Sequence, residues 1–228
     1  MIIKGLQKLT LLDFPERLAA TVFLGGCNMR CPFCHNASLV VRDGGENITE
    51  DAFLEFLRSR QGKLSGVCIT GGEPTLYKEL PSFIKNIRAL GYAVKLDTNG
   101  TNPDVLSSLI SEGLVDYVAM DIKSSRAGYS TASGISDIDI SKIEKSVSIL
   151  LSGGVDYEFR TTLVRELHTL SCMKEIGEWI RGAKRYFLQS FKDSGDLISD
   201  GFSALDTKTA AEFLEAVRVY VPSAQIRG

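Results

Sequence analysis

The run Val67-Cys68-Ile69-Thr70-Gly71-Gly72-Glu73-Pro74 passes from a short β-forming stretch straight into a turn built on two glycines. Beyond it, Leu80, Phe83, Ile84 and Ile87 recur at helical spacing, and residues 92–97 return to a strand pattern. A strand, a turn, an amphipathic helix and a second strand make one β–α–β unit. Its two strands lie parallel because the helix carries the chain back across the sheet.

The unit repeats outward in both directions. Strands are predicted over residues 20–24, 67–70, 92–97, 117–121, 157–163 and 186–189. They carry little polar alternation, the pattern of strands buried on both faces. Apolar residues at helical spacing mark the remaining helices: Phe53, Phe56 and Leu57; Val105, Leu106, Leu109 and Ile110; Ile143, Val147 and Leu150; Met173, Ile176 and Ile180; Phe213, Leu214 and Val217. Asn102-Pro103 reads as an N-cap followed by N1, and Ser141 with Glu144 as a capping box. Six strand–helix units predict a parallel sheet with helical crossovers. No linker or low-complexity stretch interrupts residues 1–228, which are expected to form one domain.

Polar or turn residues stand at every strand end: Gly25, Gly26 and Cys27; Gly71, Gly72, Glu73 and Pro74; Asp97, Thr98, Asn99 and Gly100; Asp121 and Lys123; Gln189, with Glu158 and Arg160 inside the fifth strand. Any one of these is ordinary turn chemistry. All six together predict one shared site at the mouth of a partial barrel, where the C-terminal strand ends of such folds carry function.

The chain has 228 residues, 44% hydrophobic and 24% charged, with a formal net charge of -2. That composition suits a soluble globular protein and leaves no basic footprint for nucleic acid. No apolar run approaches membrane-spanning length, and Lys4, Lys8 and Asp13 interrupt the N-terminal apolar residues, unlike a signal peptide. The expected location is cytoplasmic, where thiols stay reduced.

Three of the five cysteines, Cys27, Cys31 and Cys34, fall within eight residues. A cubane iron–sulfur cluster ordinarily takes four thiolates, so three would leave one iron open to a small molecule. Zinc is the alternative, with His35 completing a Cys3His set, although His35 directly follows Cys34 and neighbours rarely share one tetrahedral ion without strain. Redox-active thiols remain a third reading. Cys68 reads as a small buried hydrophobe and Cys172, opening a helix, as a passive residue. For a sulfonium ligand on an open iron, Gly71 and Gly72 would offer a bare backbone edge. Asp97 and Thr98 would face its amine and carboxylate, Lys123 its carboxylate, and Asp121 ribose hydroxyls. Capping is the plainer role for both aspartates. Phe33 would cover the adenine or shield the metal from water.

These residues, in the runs 26–36, 69–75, 95–100, 115–123 and 156–162, together with Gly5-Leu6-Gln7-Lys8 and Asp13-Phe14-Pro15, resemble the radical S-adenosylmethionine (SAM) superfamily. Within it, the chain is similar to activating enzymes of glycyl radical enzymes, most of all those of anaerobic ribonucleoside-triphosphate reductase of the longer type. The resemblance implies an α/β fold, a partial (β/α)6 TIM-like barrel. It implies a [4Fe-4S] cluster held by Cys27, Cys31 and Cys34, and SAM held against Phe33, Gly71, Gly72, Glu73, Asp97, Thr98, Asp121 and Lys123, with Arg160 close by. Reductive cleavage of SAM would give methionine and a 5′-deoxyadenosyl radical, which takes hydrogen from a backbone glycine of a partner enzyme. A low-potential donor such as flavodoxin or ferredoxin would supply the electron. The chain departs from relatives at Val164-Arg165-Glu166 and at Phe187-Leu188-Gln189-Ser190-Phe191, where no histidine ends the sixth strand. The second departure argues against pyruvate formate-lyase as target. His168 has no counterpart and reads as a solvated loop histidine. A deazapurine synthase-like enzyme and a zinc-binding structural protein are the other functional readings.

Overall fold

The computed structural model describes residues 1–40, 47–193 and 195–228. Its strands join one sheet in sequence order: β1 (Ile3–Thr10), β2 (Ala19–Leu24), β3 (Gly66–Gly71), β4 (Ala93–Thr98), β5 (Tyr117–Asp121), β6 (Asp156–Leu163), β7 (Tyr186–Ser190) and β8 (Gln225–Arg227). β1 pairs antiparallel with β2, and every later neighbour pairs parallel. The six expected strands are β2 to β7, and β1 and β8 extend the sheet at its two ends. Among the described residues β8 does not pair with β1, so the barrel is partial.

The crossovers carry α2 (Glu50–Ser59), α3 (Leu80–Ala89), α4 (Pro103–Ser111), α6 (Ile140–Leu151), α7 (Leu170–Trp179) and α8 (Thr207–Arg218), with the short helices α1 (Ala37–Val40) and α5 (Tyr129–Ser133) beside the cysteine loop. Thr49, Thr169 and Asp206 cap α2, α7 and α8 by accepting from backbone N–H groups of the first turn. α6 begins differently from the expected capping box. Asp139 is its N-cap and accepts from the Ser141 N–H, while Glu144 accepts from Arg126. An aspartate two residues earlier offers a stronger acceptor than the serine hydroxyl. Asn102 stands at the N-cap of α4, but its amide donates to Thr75 Oγ1 at 2.9 Å rather than capping the helix.

The strands alternate more than their sequences indicate. In β4, Val94 and Leu96 join the hydrophobic core under α3 and α4, while Lys95 and Asp97 point to the opposite, inner face. The register places Cys68 beside Lys95, Ala119 beside Asp97 and Arg160 beside Asp121 on that inner face. Both faces are buried, as expected, but the inner one is polar. Phe14, in the β1–β2 connection, packs with Ala19 and Tyr117 at the N-terminal strand ends. Among the described residues no helix is long and apolar enough to cross a membrane.

Candidate active site

The cysteine loop leaves β2 through Gly25 and Gly26 and is held in place from three sides. The Cys34 N–H donates to the Cys31 carbonyl at 3.0 Å, closing a turn around Pro32 and Phe33. The Arg30 N–H donates to the Ser133 carbonyl at 2.8 Å, seating the loop on α5. From just past β4, Asn99 Nδ2 donates to Asn28 Oδ1 at 2.9 Å, and Asn28 Nδ2 donates in turn to Thr101 Oγ1.

The two glycines after β3 make a closer approach than a turn alone requires. Gly71 has φ +121, and a Cβ on it would overlap the Leu24 backbone; one on Gly72 would overlap the Gly26 carbonyl. The expectation that this turn leaves its N–H groups bare for a ligand is therefore corrected. The Gly72 N–H donates to Leu24 O and the Glu73 N–H to Gly26 O, both at 2.8 Å. The glycines weld the turn to the base of the cysteine loop.

Glu73 points inward and does not line the cavity. Its Oε1 accepts from the Thr75 N–H and from the hydroxyls of Thr75 and Thr98, and its Oε2 accepts from the Asn99 N–H at 2.6 Å. Burial raises its pKa even against these four donors. The Thr98 hydroxyl, expected to face a ligand, is committed to Glu73.

A cavity of about 310 Å³ opens at the C-terminal ends of the strands. Cys27, Cys31, Phe33 and Cys34 line one wall, with Gly71, Gly72, Asp97, Thr98, Asp121, Lys123 and Arg160 across from them. Of the residues predicted to hold the cluster or SAM, only Glu73 stands behind the wall. Glu158 also lies away from the cavity: it is buried, accepts from the Tyr117 hydroxyl at 3.0 Å and pairs with Arg227 from β8. Gln7, Asp13, Thr21, Phe23, Thr162 and Gln189 also line it, as do Met29, His35, Asn36, Val40, Thr70 and Asn99.

The charged residues neutralise one another. Lys95 pairs with Asp97; Arg160 reaches Asp97 at 3.2 Å and Asp121 at 2.8 Å; Lys123 reaches Asp121 at 2.9 Å. Burial opposes the charge of both carboxylates, but the cations beside them win and hold both below the usual aspartate range. The sequence assigned these side chains separately to parts of a ligand; a lysine and an arginine that alternate with aspartates on adjacent inward positions was the signal for the network. Lys95, at one end of it and 2% exposed, was missed.

His168 is buried, not solvated. Its Nδ1 lies 3.0 Å from the Val164 N and its Nε2 3.0 Å from the Lys123 carbonyl, an arrangement that fits a neutral ring accepting at Nδ1 and donating at Nε2. It fixes the backbone that presents Lys123.

The three thiols are the donor type of an iron–sulfur cluster, although among the described residues no three His, Cys, Asp or Glu side chains close on a single metal ion. All are free, all face one cavity, and Cys27 Sγ accepts from the Met29 N–H at 3.4 Å and from Asn99 Nδ2 at 3.9 Å, as a thiolate on iron would. Burial pushes the Cys31 thiol up to about 11 and raises Cys27, so holding both as thiolates takes a positive partner. Cys68 and Cys172 are buried outside the loop; the Cys68 thiol donates to Asp97 Oδ1 at 3.7 Å and accepts from Lys95 Nζ, beside the charge network, and Cys172 Sγ accepts from the Ser125 N–H.

The likeness to known proteins agrees with this geometry. The chain is 29% identical over 99% of its length to a Methanocaldococcus jannaschii protein that carries the provisional name glycyl-radical enzyme activating enzyme, and covers 95% of that protein. It is 32% identical over 64% of its length to a 7-carboxy-7-deazaguanine synthase of Koribacter versatilis, covering 61% of it. Among solved structures, Streptococcus suis SuiB bound to its precursor peptide SuiA superposes with a TM-score of 0.68 at 14% identity, over 91% of this chain and 48% of SuiB. Methylornithine synthase superposes at 0.65 and 13% identity, over 90% of this chain and 63% of that one. The chain thus spans about half to two thirds of these structural neighbours, which share its fold. Residues 21–179, from the strand that launches the cysteine loop to the end of α7, match the radical SAM superfamily, and the chain belongs to it.

Proposed function

We propose that this protein is a radical SAM activase that generates a glycyl radical on a partner enzyme, and that the partner is an anaerobic ribonucleotide reductase. The observation that carries the reading is the near full-length match to the M. jannaschii protein. A deazaguanine synthase and a GTP 3′,8-cyclase match over shorter stretches, 64% and 54% of this chain.

The family implies a [4Fe-4S] cluster and SAM. Bound together, they supply one-electron cleavage of the sulfonium to methionine and a 5′-deoxyadenosyl radical, the electron coming from a flavodoxin or ferredoxin. The residues of the chain do the rest. Cys27, Cys31 and Cys34 would hold the iron, and the Asn28–Asn99–Thr101 bonds fix their loop at the end of β4. Asp97, Arg160, Asp121 and Lys123 present rigid, oppositely charged groups to the cavity and would hold SAM, with Phe33 as an apolar wall. A glycine Cα–H of the partner would give up its hydrogen atom at this cavity, leaving the unpaired electron on the partner.

Growing the partner with deuterated glycine tests the proposal. Deuterium should appear in 5′-deoxyadenosine when the two proteins react anaerobically with SAM and a reductant. Unlabelled 5′-deoxyadenosine, with label instead transferred from a small molecule, would favour the deazapurine synthase-like reading.

A further inference from the structure

The cavity lining extends beyond the cysteines and the charge network to Gln7 of β1, Asp13, Thr21 and Phe23 from the β1–β2 hairpin, Thr162 of β6 and Gln189 of β7. Lys123 and Arg160, the lysine and arginine that line the cavity, are both engaged by carboxylates. Among these six residues Asp13 is the one acidic or basic side chain, and its Oδ2 accepts from the Thr21 hydroxyl at 2.6 Å. A phosphate or carboxylate substrate would meet a carboxylate there and no lysine or arginine of this set, an unfavourable environment for an anion.

What these residues do offer is amide and hydroxyl groups. Gln7 and Gln189 approach from opposite sides of the opening in the sheet, one on the first strand and one on the seventh. Gln7 uses its Nε2 on the Leu9 carbonyl at 3.2 Å, and the Gln189 amide makes no hydrogen bond to any described residue. A primary amide presents a donor and an acceptor side by side, the complement of a peptide group. Thr162, two residues beyond Arg160 on β6 and in register with Gln189, adds a hydroxyl that can do either.

We propose that Gln7 and Gln189, assisted by Thr162, grip the main chain of an uncharged, extended peptide segment and so set the target glycine in place. The inference rests on the activase reading and sharpens it: recognition at the cavity is through peptide groups beside the glycine and requires no charged side chain from the substrate.

The test uses the full chain, loaded with cluster and SAM, and anaerobic ribonucleotide reductase made with deuterated glycine. Two quantities are read in the wild type, Gln7→Leu and Gln189→Leu: the KM for the partner, and the fraction of 5′-deoxyadenosine that carries deuterium. The fraction is taken within each reaction, so a partly folded or partly loaded preparation changes both of its terms alike. Loss of one neutral hydrogen bond at each position should raise KM about three- to tenfold and lower the deuterated fraction, because a loosely held glycine lets the adenosyl radical find hydrogen elsewhere. Wild-type KM and wild-type deuterated fraction in both variants would overturn the assignment while leaving the activase reading intact. No deuterium transfer by the wild type would overturn the activase reading, and this inference with it.

Discussion

The Asn99 backbone N–H donates to Glu73 Oε2 at 2.6 Å, and this bond ties the turn after β3 to the end of β4. The same carboxylate holds the Thr98 hydroxyl through its other oxygen, and Asn99 in turn reaches the cysteine loop through Asn28. Glu73 is therefore the fastening behind the cavity wall, buried so that its partners are the protein's own N–H and O–H groups.

Replacing it tests that role. Glu73→Gln would turn an NH2 group toward a donor that now finds an acceptor. The expected loss is about 1–3 kcal/mol of stability, seen as a melting temperature lower by several degrees. A Glu73→Gln protein that melts with the wild type would show that the carboxylate is dispensable.

Each of Cys27→Ala, Cys31→Ala and Cys34→Ala should remove the cluster, read as iron content and absorbance near 400 nm after anaerobic reconstitution. Cys68→Ala and Cys172→Ala should keep about four irons per chain, because both thiols are buried away from the loop. Full iron in Cys31→Ala would contradict the ligand set.

The charge network predicts unequal costs. Arg160 bridges Asp97 and Asp121, and removing it leaves both carboxylates short of a partner. Arg160→Gln should cost about 3–5 kcal/mol, the usual penalty for breaking a buried pair by one member. Lys123→Gln leaves Asp121 still paired with Arg160, so denaturant unfolding should show a smaller loss. Its larger effect should be on SAM titrations, about ten- to a hundredfold weaker for one charge-assisted contact. Equal stability losses in the two variants would remove Arg160 from the centre of the network.

His168 predicts a mild acid sensitivity. Burial lowers its pKa below the ordinary 6.5, so as pH falls the unfolded chain takes up the proton first. The histidine's contribution is complete above about pH 6.5 and declines below it by at most about 1.4 kcal/mol per pH unit, until the lowered native pKa is reached. Protonation would also turn the Nδ1 acceptor into a donor facing the Val164 N–H. His168→Gln keeps one donor and one acceptor and should flatten the stability profile between pH 7 and 5. An unchanged slope would assign the sensitivity elsewhere.

The parallel sheet and its helices were legible because strand and helix periods alternate so regularly from residue 20 to residue 189. β1 was not, since Lys4, Gln7 and Lys8 dilute its pattern on an edge strand, and β8 is three residues long. Within the site, the cysteines and the aspartates announce themselves by type. Their pairing does not, because Lys95, Asp97, Asp121 and Arg160 meet only once three strands are placed side by side in register. Glu73 and His168 were misjudged for one reason: a polar residue in a loop reads as exposed, and only the fold shows that loop turned inward.

The central claim is that the radical ends on a glycine of another protein. Electron paramagnetic resonance of the anaerobic mixture of this protein, SAM, a reductant and anaerobic ribonucleotide reductase tests it most directly. The account predicts a persistent doublet that collapses when the partner is made with deuterated glycine. SAM cleavage with no protein-centred signal, accompanied by conversion of a small molecule, would contradict it.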